Sequence, residues 1–458
     1  MADPIAALAT APGEGGIAIV RLSGDGVRHM TSLRFSPAGQ TPAGEIPPRR
    51  MAYGAFLDKE GTVLDRILWV WFAAPRSYTG EEVVELHCHG GYLGAQRLLL
   101  EVLDLGCRPA APGEFTQRAF LNGRLDLAQA EGVLGLIRAR NDEALHAAQR
   151  ALGGGWGWAL LPLRGELLGM AATVQASLDF PDEDLPPWER EDLVGRLKKI
   201  RERLQEAQRQ ARSGALLSTG WRVALVGRPN VGKSSLLNAL LQQSRAIVTA
   251  LPGTTRDVVE EVLSYRGVPF RLLDTAGIRP AQDPAEREGV ARALHAAEEA
   301  DLRLWVLDAS EPLLPEDWEL GKSLREKGRL LAVRNKSDLP ERWDEGALIS
   351  LLGLEAPVIT ISAQQERGIT ALKDLLWHMA VGKDSLEGAL HASARQCQEL
   401  RQAELAVARA EEALDPGYGE DLLAQGLQEA LQALDRLLGF TWDDALLNEI
   451  FSRFCVGK

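Results

Sequence analysis

The pattern of apolar and polar positions divides this chain into three kinds of segment. In the first 120 residues, short β-like runs lie between turns rich in Gly and Pro, which favours an α+β domain. The runs that predict strands there are Gly16–Leu22, Ile67–Phe72 and Val83–Cys88. Residues 121–218 instead place apolar side chains at i, i+3 and i+4 spacing among Ala, Gln, Glu and Arg, and this spacing predicts helices.

The third pattern begins at Trp221, where mostly apolar runs alternate with helical segments. Such runs are typical of buried parallel strands with helices on both faces of the sheet. The predicted strands are Arg222–Val226, Phe270–Asp274, Leu302–Asp308, Leu330–Asn335 and Val358–Ser362. Helical spacing returns after residue 381, and the helices predicted there are Arg395–Leu414 and Glu420–Leu438.

We therefore predict a multidomain protein, because 458 residues are too many for a single hydrophobic core. An N-terminal α+β domain takes residues 1–120, and an α/β domain takes residues 219–380. The α/β domain is inserted into an α-helical domain whose two parts are residues 121–218 and 381–458.

Composition limits the location and partners of the chain. No apolar run is long enough to cross a bilayer, and the N-terminus lacks the pattern of a secretory signal, so we expect a cytoplasmic protein. The net charge of −13 repels nucleic acid, so any RNA contact needs a local basic patch or a partner protein. The basic stretch Lys198–Arg203 contains Glu202, and it is either such a patch or a solvated helix face.

The four cysteines include no CxxC pair, which argues against a disulfide framework or a structural zinc site. His87, Cys88 and His89 could bind a metal. On an alternating strand, however, the two histidines share one face and the cysteine points to the other, so packing or polar contacts are the alternative. Cys455 lies three residues before the C-terminus, where a core role is less expected and a reactive thiol is an alternative.

The segment Gly227–Ser234 has the pattern GxxxxGKS and lies between a predicted strand and a predicted helix. In that context backbone N–H groups can wrap phosphates, and the helix N-terminus adds a favourable dipole. We expect Lys233 to reach the β- and γ-phosphates and Ser234 to give its hydroxyl to Mg²⁺. The residues of this loop that we predict to bind nucleotide are Asn230, Val231, Gly232, Lys233, Ser234 and Ser235.

Three further motifs follow in order, each at the end of a predicted strand. The aspartate of DTAG can hold Mg²⁺ through water. The aspartate of NKSD can accept hydrogen bonds from the N1–H and 2-amino groups of guanine, a donor pair that adenine lacks. The following Ser-Ala pair can contact the guanine O6 through backbone N–H groups. The residues that we predict to bind are Asp274, Thr275, Ala276, Gly277, Asn335, Lys336, Asp338, Ser362 and Ala363, and together they predict a GTPase.

The stretch between the phosphate loop and DTAG reads GTTRD. A threonine there commonly completes the Mg²⁺ shell, and Thr255 is our choice, with Thr254 as the alternative. The residue after DTAG is Ile278, which cannot orient the attacking water as the glutamine of Ras-like enzymes does. Either hydrolysis is slow or another group handles the water, and the charged residues just downstream are Arg279, Asp283, Glu286, Arg287 and Glu288. A cation could take the place of a transition-state arginine.

Taken together, these motifs resemble the MnmE (TrmE) family of tRNA-modification GTPases. The resemblance rests on GRPNVGKSSLLN, GTTRD, DTAGIR, NKSD and the terminal FCVGK. It extends to APGEGGIAIVRLSG at 11–24, SYTGEEVVELHCHGG at 77–91, RPAAPGEFTQRAFLNGRLDLAQAE at 108–131 and SLDFPDED at 177–184. The resemblance therefore covers the full length, and the terminal CxGK signature is more specific than the G motifs.

The resemblance implies a homodimeric, potassium-activated GTPase with an N-terminal folate-binding domain, a helical domain and an inserted Ras-like G domain. Members of the family work with a flavin- and NADH-dependent partner, MnmG (GidA). Together they place an aminomethyl or carboxymethylaminomethyl group on carbon 5 of the wobble uridine of certain tRNAs. A tetrahydrofolate derivative supplies the one-carbon unit.

The resemblance also implies roles near the phosphates. The K⁺ ligands that it implies are Asn230, Thr249, Leu251 and Thr254, and K⁺ there would offset developing charge as an arginine does. The family's water-orienting acid falls on Glu286, acting through a bridging water. This chain has AEREG where the family has the more apolar VERIG, and an exposed glutamate at a helix start is the alternative.

The folate contacts implied by the resemblance are Arg21, Glu85, Arg124 and Lys458. A carboxylate suits the N–H donors of the pterin, and basic groups suit the glutamate tail. A plain ion pair is the alternative for Arg21 and Glu85. The same analogy places Cys455 near the folate.

Two other functions fit parts of the sequence. A ribosome-assembly GTPase would share only the G domain, and the N-terminal motifs and CVGK tail speak against it. A folate enzyme with an inactive G domain is disfavoured by the intact Lys233, Ser234, Asp274 and Asp338.

Overall fold

The computed structural model describes residues 2–180, 189–242, 260–274, 300–326, 328–344, 346, 348, 357–382, 385–415 and 419–458. The chain divides into two compact units. The first consists of Met1–Leu134, Ala151–Leu204 and Gln398–Lys458, and the second of Gly135–Arg150 and Gln205–Cys397. Among the described helices, none combines the length and apolar character that a membrane span requires.

The strands in chain order are β1 (Ile5–Leu8), β2 (Ile17–Ser23), β3 (Phe35–Pro37), β4 (Ala52–Leu57), β5 (Val63–Phe72), β6 (Val83–His89), β7 (Arg108–Pro109), β8 (Trp221–Val226), β9 (Glu260–Tyr265), β10 (Val268–Asp274), β11 (Leu302–Asp308), β12 (Leu330–Asn335) and β13 (Val358–Thr360). The α-helices are α1 (Val27–Ser32), α2 (Tyr92–Asp104), α3 (Glu114–Leu121), α4 (Leu127–Arg138), α5 (Asp142–Leu152), α6 (Gly155–Asp179), α7 (Arg190–Thr219), α8 (Lys233–Gln242), α9 (Pro315–Glu326), α10 (Ile369–Val381), α11 (Ala394–Glu412), α12 (Glu420–Leu438) and α13 (Asp444–Phe451). The predicted multidomain fold class, with α+β, helical and α/β parts, is confirmed.

The first unit contains a seven-stranded sheet with the order β3-β4-β5-β6-β2-β1-β7. Neighbouring strands are antiparallel except β1 and β7, which are parallel. One face of this sheet carries alternate apolar residues, such as Trp69 and Leu86, that form a core with α2. On the other face, Arg21 and Glu85 lie directly opposite each other on β2 and β6. Because side chains alternate along a strand, these two polar residues point away from the α2 core.

Strand alternation also explains the His-Cys-His sequence on β6. The sulfur side chain of Cys88 is buried, whereas His87 is half-buried and His89 is exposed. His89 pairs with Asp65 at 2.7 Å, and His87 lies 3.3 Å from Glu85. The prediction that the cysteine and histidines point to opposite faces is confirmed.

The helices of the first unit pack through apolar stripes and carry ion pairs at their margins. Arg164 of α6 contacts Asp435 of α12 at 2.5 Å. Arg201 of α7 contacts Glu404 at 2.8 Å and Glu411 at 3.2 Å, both on α11. The basic stretch 198–203 therefore lies on a helix that is partly neutralised by its neighbour, which agrees with the helix-face interpretation.

The second unit contains a six-stranded sheet with the order β13-β12-β11-β8-β10-β9. All pairs are parallel except β9 with β10. Every residue of β11 and β12 is buried, because α8 and α10 pack on one face of the sheet and α9 on the other. From β8 the chain goes first to β9 and β10 on one side and later to β11 on the other. The carboxyl end of β8 is thus the point where strand order reverses, and open α/β sheets bind ligands outside such a point.

The second unit extends beyond the predicted α/β domain. Ala144 and Ala147 of α5, Leu217 of α7 and Ala389 belong to the same buried cluster as the sheet residues. The compact units therefore divide the chain differently from the predicted domains at 1–120, 121–218, 219–380 and 381–458, and those boundaries remain a prediction.

Candidate functional site

The loop between β8 and α8 is held in shape by its own groups. Lys233 is only 7% exposed, and its Nζ donates hydrogen bonds to the carbonyl oxygens of Gly227 and Arg228, both at 2.7 Å. Asn230 lies at the exposed tip with a φ of 63°, a left-handed conformation that asparagine tolerates better than most residues. The loop therefore curls around the ammonium group that its sequence pattern predicts to face phosphates.

The loop also touches its neighbours closely at two glycines. A methyl group on Gly227 would lie 2.3 Å from the carbonyl oxygen of Val306 on β11. A methyl group on Gly232, whose φ is 97°, would lie 2.3 Å from Nδ2 of Asn335. Larger residues at these two positions would push the loop away from β11 and from the end of β12.

An ion pair fixes the second residue of the loop. The Nε of Arg228 donates to Oδ1 of Asp317 at 2.7 Å, and Glu311 lies 3.7 Å from the same guanidinium. Asp317 is 2% exposed, and its other oxygen accepts a hydrogen bond from the backbone N–H of Leu314 at 3.0 Å. The start of α9 thereby anchors the phosphate loop. Sequence reasoning missed this pair, because nothing in the local pattern joins positions 89 residues apart.

Asn335, at the end of β12, joins three segments. Its Nδ2 donates to the carbonyl oxygen of Val231 at 2.9 Å, and its Oδ1 accepts from the backbone N–H of Ala363 at 3.0 Å. The side chain is 2% exposed, so both hydrogen bonds are shielded from water. The loops after β8, β12 and β13 therefore meet through one amide.

Lys336 is held by a buried carboxylate that the sequence analysis did not single out. Its Nζ lies 2.5 Å from Oδ2 of Asp308, the last residue of β11. Burial disfavours the ionised carboxyl of Asp308, but hydrogen bonds from Lys336 and Ser310 outweigh burial and lower its pKa. The sequence does contain a signal for Asp308. It ends the run Leu302–Asp308, which is apolar apart from Arg303 and Asp308 itself.

Asp338 and Ser362 lie together beside this amide junction. The Oγ of Ser362 donates to Oδ1 of Asp338 at 2.5 Å, and it accepts from the backbone N–H of Gln365 at 3.1 Å. Ser362 is buried, whereas Asp338 is half-buried. One carboxylate oxygen of Asp338 is thus fixed by the serine, and the other is given no hydrogen bond among the described residues.

Several predicted site residues lie outside the described residues. They are Thr249, Leu251, Thr254, Thr255, Thr275, Ala276, Gly277 and Glu286, together with Ile278. The strand β10 ends at Asp274, as predicted, but the side chain of Asp274 is also outside the described part. The structure brings together Asn230 to Ser235 with Asn335, Lys336, Asp338, Ser362 and Ala363.

A second polar cluster lies in the first unit, around Arg21. Its Nε and Nη2 both lie 2.9 Å from Oε1 of Glu85. The rings of Tyr78 and Phe115 face the guanidinium at 5.6 and 5.8 Å from their centroids. Partial burial raises the pKa of Tyr78, although its hydrogen bond with Thr116 and the charge of Arg21 oppose this rise.

The C-terminal segment reaches the same cluster. The carbonyl oxygen of Gly457 accepts a hydrogen bond from Arg21 at 3.4 Å, and that of Lys458 accepts from the N–H of Phe115 at 3.2 Å. Cys455 is exposed. Two of the residues implied for folate, Arg21 and Glu85, are therefore in contact, and the backbone of the third, Lys458, lies beside them.

Arg124, the fourth of these residues, is exposed and lies next to Gly80, in the loop that also contains Tyr78. Within the described residues no carboxylate lies within 4.0 Å of its guanidinium. The described contacts do not join it to Arg21. Its charge is therefore free for a ligand or for solvent.

Behind this cluster lies an ion network that the sequence analysis did not find. Arg118 is 9% exposed and contacts Asp3, Glu81 and Glu114 at 2.9 to 3.0 Å. Burial opposes ionisation of Glu114, but hydrogen bonds from Arg108, the Ala111 N–H and Arg118 outweigh it and lower the pKa of Glu114. This network ties the N-terminal strand to α3 and to the loop before β6.

The two clusters offer different chemistry. The cluster at the carboxyl end of β8 presents a buried ammonium, a helix N-terminus and a half-buried carboxylate, which suit phosphates and a base with N–H donors. The cluster around Arg21 presents the Glu85 carboxylate beside a guanidinium that faces two aromatic rings, which suits a flat ligand with N–H donors.

Comparisons with known proteins identify the family of the chain. The family described as GTP-binding protein TrmE N-terminus matches residues 4–124, and the family described as MnmE helical domain matches residues 127–455. The chain is similar to the tRNA modification GTPase MnmE of Heliobacterium modesticaldum, with 43% identity and coverage of 100% of this chain and 99% of the relative. It is equally similar to the protein of the same name from Symbiobacterium thermophilum, with 43% identity and the same coverage.

Among solved structures, the G domain of the T. maritima FeoB iron transporter is 28% identical over 35% of this chain and 98% of that chain, with a TM-score of 0.27. The family assignment comes from the full-length relatives and the family matches. GTP binding and a role in tRNA modification follow from membership. The chain belongs to the MnmE family of tRNA modification GTPases and is a GTP hydrolase that acts in tRNA modification.

Proposed function

We propose that this chain is a K⁺-activated GTPase that works as a homodimer with a flavin-dependent partner of the MnmG (GidA) type. Together they modify carbon 5 of the wobble uridine of tRNA to an aminomethyl or carboxymethylaminomethyl form. A tetrahydrofolate derivative supplies the one-carbon unit. The names of the relatives support the tRNA and GTP parts, and the residue roles below are our own proposal.

The nucleotide roles rest on the junction that Asn335 makes between the loops after β8, β12 and β13. That junction holds the loop after β8 and the carboxylate of Asp338 at one edge of the sheet, which supports the following roles. Lys233 and the N-terminus of α8 bind the phosphates, Ser234 and Thr255 hold Mg²⁺ with Asp274, and Asp338 accepts from the guanine N–H groups. Ser362 and Ala363 support Asp338 and face O6.

The K⁺ role rests on two features of the phosphate site. Ile278 has no group that could position the attacking water, and Asn230 holds its amide at the exposed tip of the loop. An amide oxygen is a suitable ligand for a hard cation, and a cation beside the phosphates offsets the charge that develops in the transition state. Asn230, Thr249, Leu251 and Thr254 form the K⁺ site, and Glu286 orients the water.

GTP turnover measured in K⁺ and in Na⁺ at equal ionic strength tests this role. We expect faster turnover in K⁺, and we expect Asn230→Ala to lower the K⁺ rate to the Na⁺ rate while leaving the Na⁺ rate unchanged. The Na⁺ rate of the variant is the control for damage to the phosphate loop. Equal wild-type rates in the two salts would refute potassium activation.

The folate role rests on the cluster of Arg21 and Glu85 with the C-terminal segment. Two guanidinium nitrogens of Arg21 face Oε1 of Glu85, whereas Oε2 lies 3.3 Å from His87 and keeps a lone pair for a ligand. The donors of a pterin fit this acceptor, and Arg124 and Lys458 fit the glutamate tail. The bound derivative would supply a one-carbon unit, and the residues of this chain would orient it.

Calorimetry with a reduced folate tests this proposal. Glu85→Gln keeps the size of the side chain but removes its charge, so we expect weaker binding. Asp65→Asn is the matched control, because Asp65 is also paired with a histidine on the same sheet, at 2.7 Å from His89. Equal affinity of wild type and Glu85→Gln would reduce Arg21 and Glu85 to a structural ion pair.

The link between hydrolysis and modification is tested in cells. A nucleoside profile of tRNA from cells that lack this protein should lose the proposed wobble uridine product. Cells that carry Lys233→Ala should show the same loss. Full modification with Lys233→Ala would mean that the G domain does not drive the modification.

A further inference from the structure

A helix and two connecting segments of the first unit carry a group of arginines without acidic partners. We call Arg28, Arg49, Arg50 and Arg76 the arginine patch. Within the described residues, no carboxylate lies within 4.0 Å of any of these guanidinium groups. Ten other arginines of this unit have a carboxylate within 4.0 Å, namely Arg21, Arg108, Arg118, Arg164, Arg190, Arg196, Arg201, Arg409, Arg436 and Arg453. Arg34, Arg66, Arg97, Arg124, Arg203 and Arg401 have none among the described residues, but no described contact joins them to the patch. The patch is therefore a local excess of positive charge on a protein of net charge −13.

The contacts of Trp71 bring the patch together. The guanidinium of Arg28 lies over the Trp71 ring at 3.9 Å from its centroid. The backbone N–H of Arg49 donates to the carbonyl oxygen of Trp71 at 2.8 Å, and its Nη2 donates to the carbonyl oxygen of Arg76 at 2.7 Å. Arg50 is the next residue along the chain. Arg28 and Arg49 thus contact one buried tryptophan, and Arg49 in turn contacts the backbone of Arg76, so three segments that are distant in sequence meet here.

The guanidinium groups of the patch have N–H donors that make no hydrogen bond within the described residues. A guanidinium carries five N–H donors, and the structure gives the side chain of Arg49 one hydrogen bond. Arg50 and Arg76 are exposed, and their side chains make no hydrogen bond among the described residues. Arg49 also has a φ of 63°, a rare value for a residue that is neither Gly nor Asn. Such strained positions are more frequent where a side chain has a function.

Two carboxylates belong to the same neighbourhood. Glu82 accepts a hydrogen bond from the backbone N–H of Arg28 at 3.1 Å, and Glu45 is adjacent to Gly44, whose carbonyl oxygen accepts from the Arg28 side chain. Neither forms an ion pair with the patch. The positive groups outnumber them, so the field above the patch favours an anion.

We propose that the arginine patch binds the phosphate backbone of tRNA. The family acts in tRNA modification, an acidic chain needs a local basic surface to hold a polyanion, and arginine binds phosphate oxygens in a bidentate manner. The proposal rests on the tRNA role of the family and not on the K⁺ or folate roles proposed above.

The test is the salt dependence of tRNA binding by the full chain. The patch variant is Arg49→Gln, Arg50→Gln and Arg76→Gln combined, and Arg28 is kept because it covers Trp71. The charge-matched control is Arg196→Gln, Arg409→Gln and Arg436→Gln combined, because each of these arginines has a carboxylate partner. A third variant with lysine at positions 49, 50 and 76 keeps the charge. Binding of fluorescent tRNA is measured from 50 to 300 mM KCl, and thermal unfolding shows that each variant is folded.

Each phosphate contact contributes about 0.9 to the magnitude of the slope of log K against log salt for a duplex. Three lost contacts in the patch variant should therefore reduce the magnitude of the slope by about 2 to 3. They should also lower the affinity for tRNA at about 0.1 M salt by at least about tenfold. The control and the lysine variant should stay within about threefold of wild type. Wild-type affinity and slope in the patch variant, an equal loss in the control, or no tRNA binding by the wild type would overturn the proposal. GTP turnover of the patch variant, measured in parallel, separates this result from a failure of the nucleotide site.

Discussion

Replacing Gly232 by alanine tests whether the Asn335 junction controls nucleotide binding. Gly232 has a φ of 97°, and a left-handed alanine costs about 1 to 2 kcal/mol. The new methyl group would also lie 2.3 Å from Nδ2 of Asn335, so the Asn335 amide must move. That movement breaks its hydrogen bonds to Val231 and Ala363, which are buried.

A buried hydrogen-bonding group that loses its partner costs about 1 to 3 kcal/mol, so two lost bonds should cost about 2 to 6 kcal/mol beyond the backbone strain. If this loss falls on the junction, GTP affinity should fall by at least about 30-fold, since 1.4 kcal/mol corresponds to tenfold. The larger part of the effect comes from the displaced amide and the smaller part from the backbone.

The matched control is Gly61→Ala. Gly61 also has a positive φ, 84°, but a methyl group there would meet no atom within 4 Å. Fluorescent GDP titrations and urea unfolding of the full chain measure affinity and stability of both variants. Nucleotide affinity of Gly232→Ala within threefold of Gly61→Ala would refute the role of the Asn335 junction.

Three further predictions follow from the same contacts. Asp338→Asn should lower GTP affinity by about 100-fold, because an amide cannot accept from both guanine N–H groups, and it should improve binding of xanthosine triphosphate, measured by competition. Asp317→Asn should lower the free energy of unfolding by about 2 kcal/mol, because it leaves the phosphate-loop arginine without its buried partner, whereas Glu311→Gln should change it by less than about 0.5 kcal/mol. Glu114 has a folded pKa below its ordinary 4.5, so its contribution to stability is present above pH 4.5 and is lost as the pH falls through the folded value. Arg108→Gln should weaken this loss, and acid unfolding curves that superimpose on the wild type would contradict it.

The sequence predicted the α/β sheet well, because its strands are buried on both faces and read as apolar runs. Leu302–Asp308 and Leu330–Asn335 match the observed strands at both ends, and Glu420–Leu438 matches the observed helix. The strands that were missed are β1, β3, β4, β7 and β9. All five have six residues or fewer, and such a short run carries too little alternation to be told from a loop.

The site divides in the same way. Motifs at strand ends located Lys233, Asn335 and Asp338, because the chemistry of phosphate and guanine restricts which residues can stand there. The partners that hold these residues, such as Asp317 and Asp308, were not predicted. Their identity depends on which strands are neighbours in the sheet, and the local sequence does not specify the order of the strands.

The distribution of basic residues shows most clearly what cannot be predicted from local sequence. The stretch Lys198–Arg203 stands out in the sequence because four of its six residues are basic, yet its Arg201 is paired with two glutamates of another helix. The arginine patch is spread from position 28 to position 76, and no window of the sequence shows it. The attraction that a polyanion feels depends on charge in space after carboxylate partners have neutralised part of it, and those partners come from segments that are distant in sequence. In an acidic protein, then, a nucleic-acid surface is found by asking which basic groups lack a carboxylate, and only the folded structure answers that question.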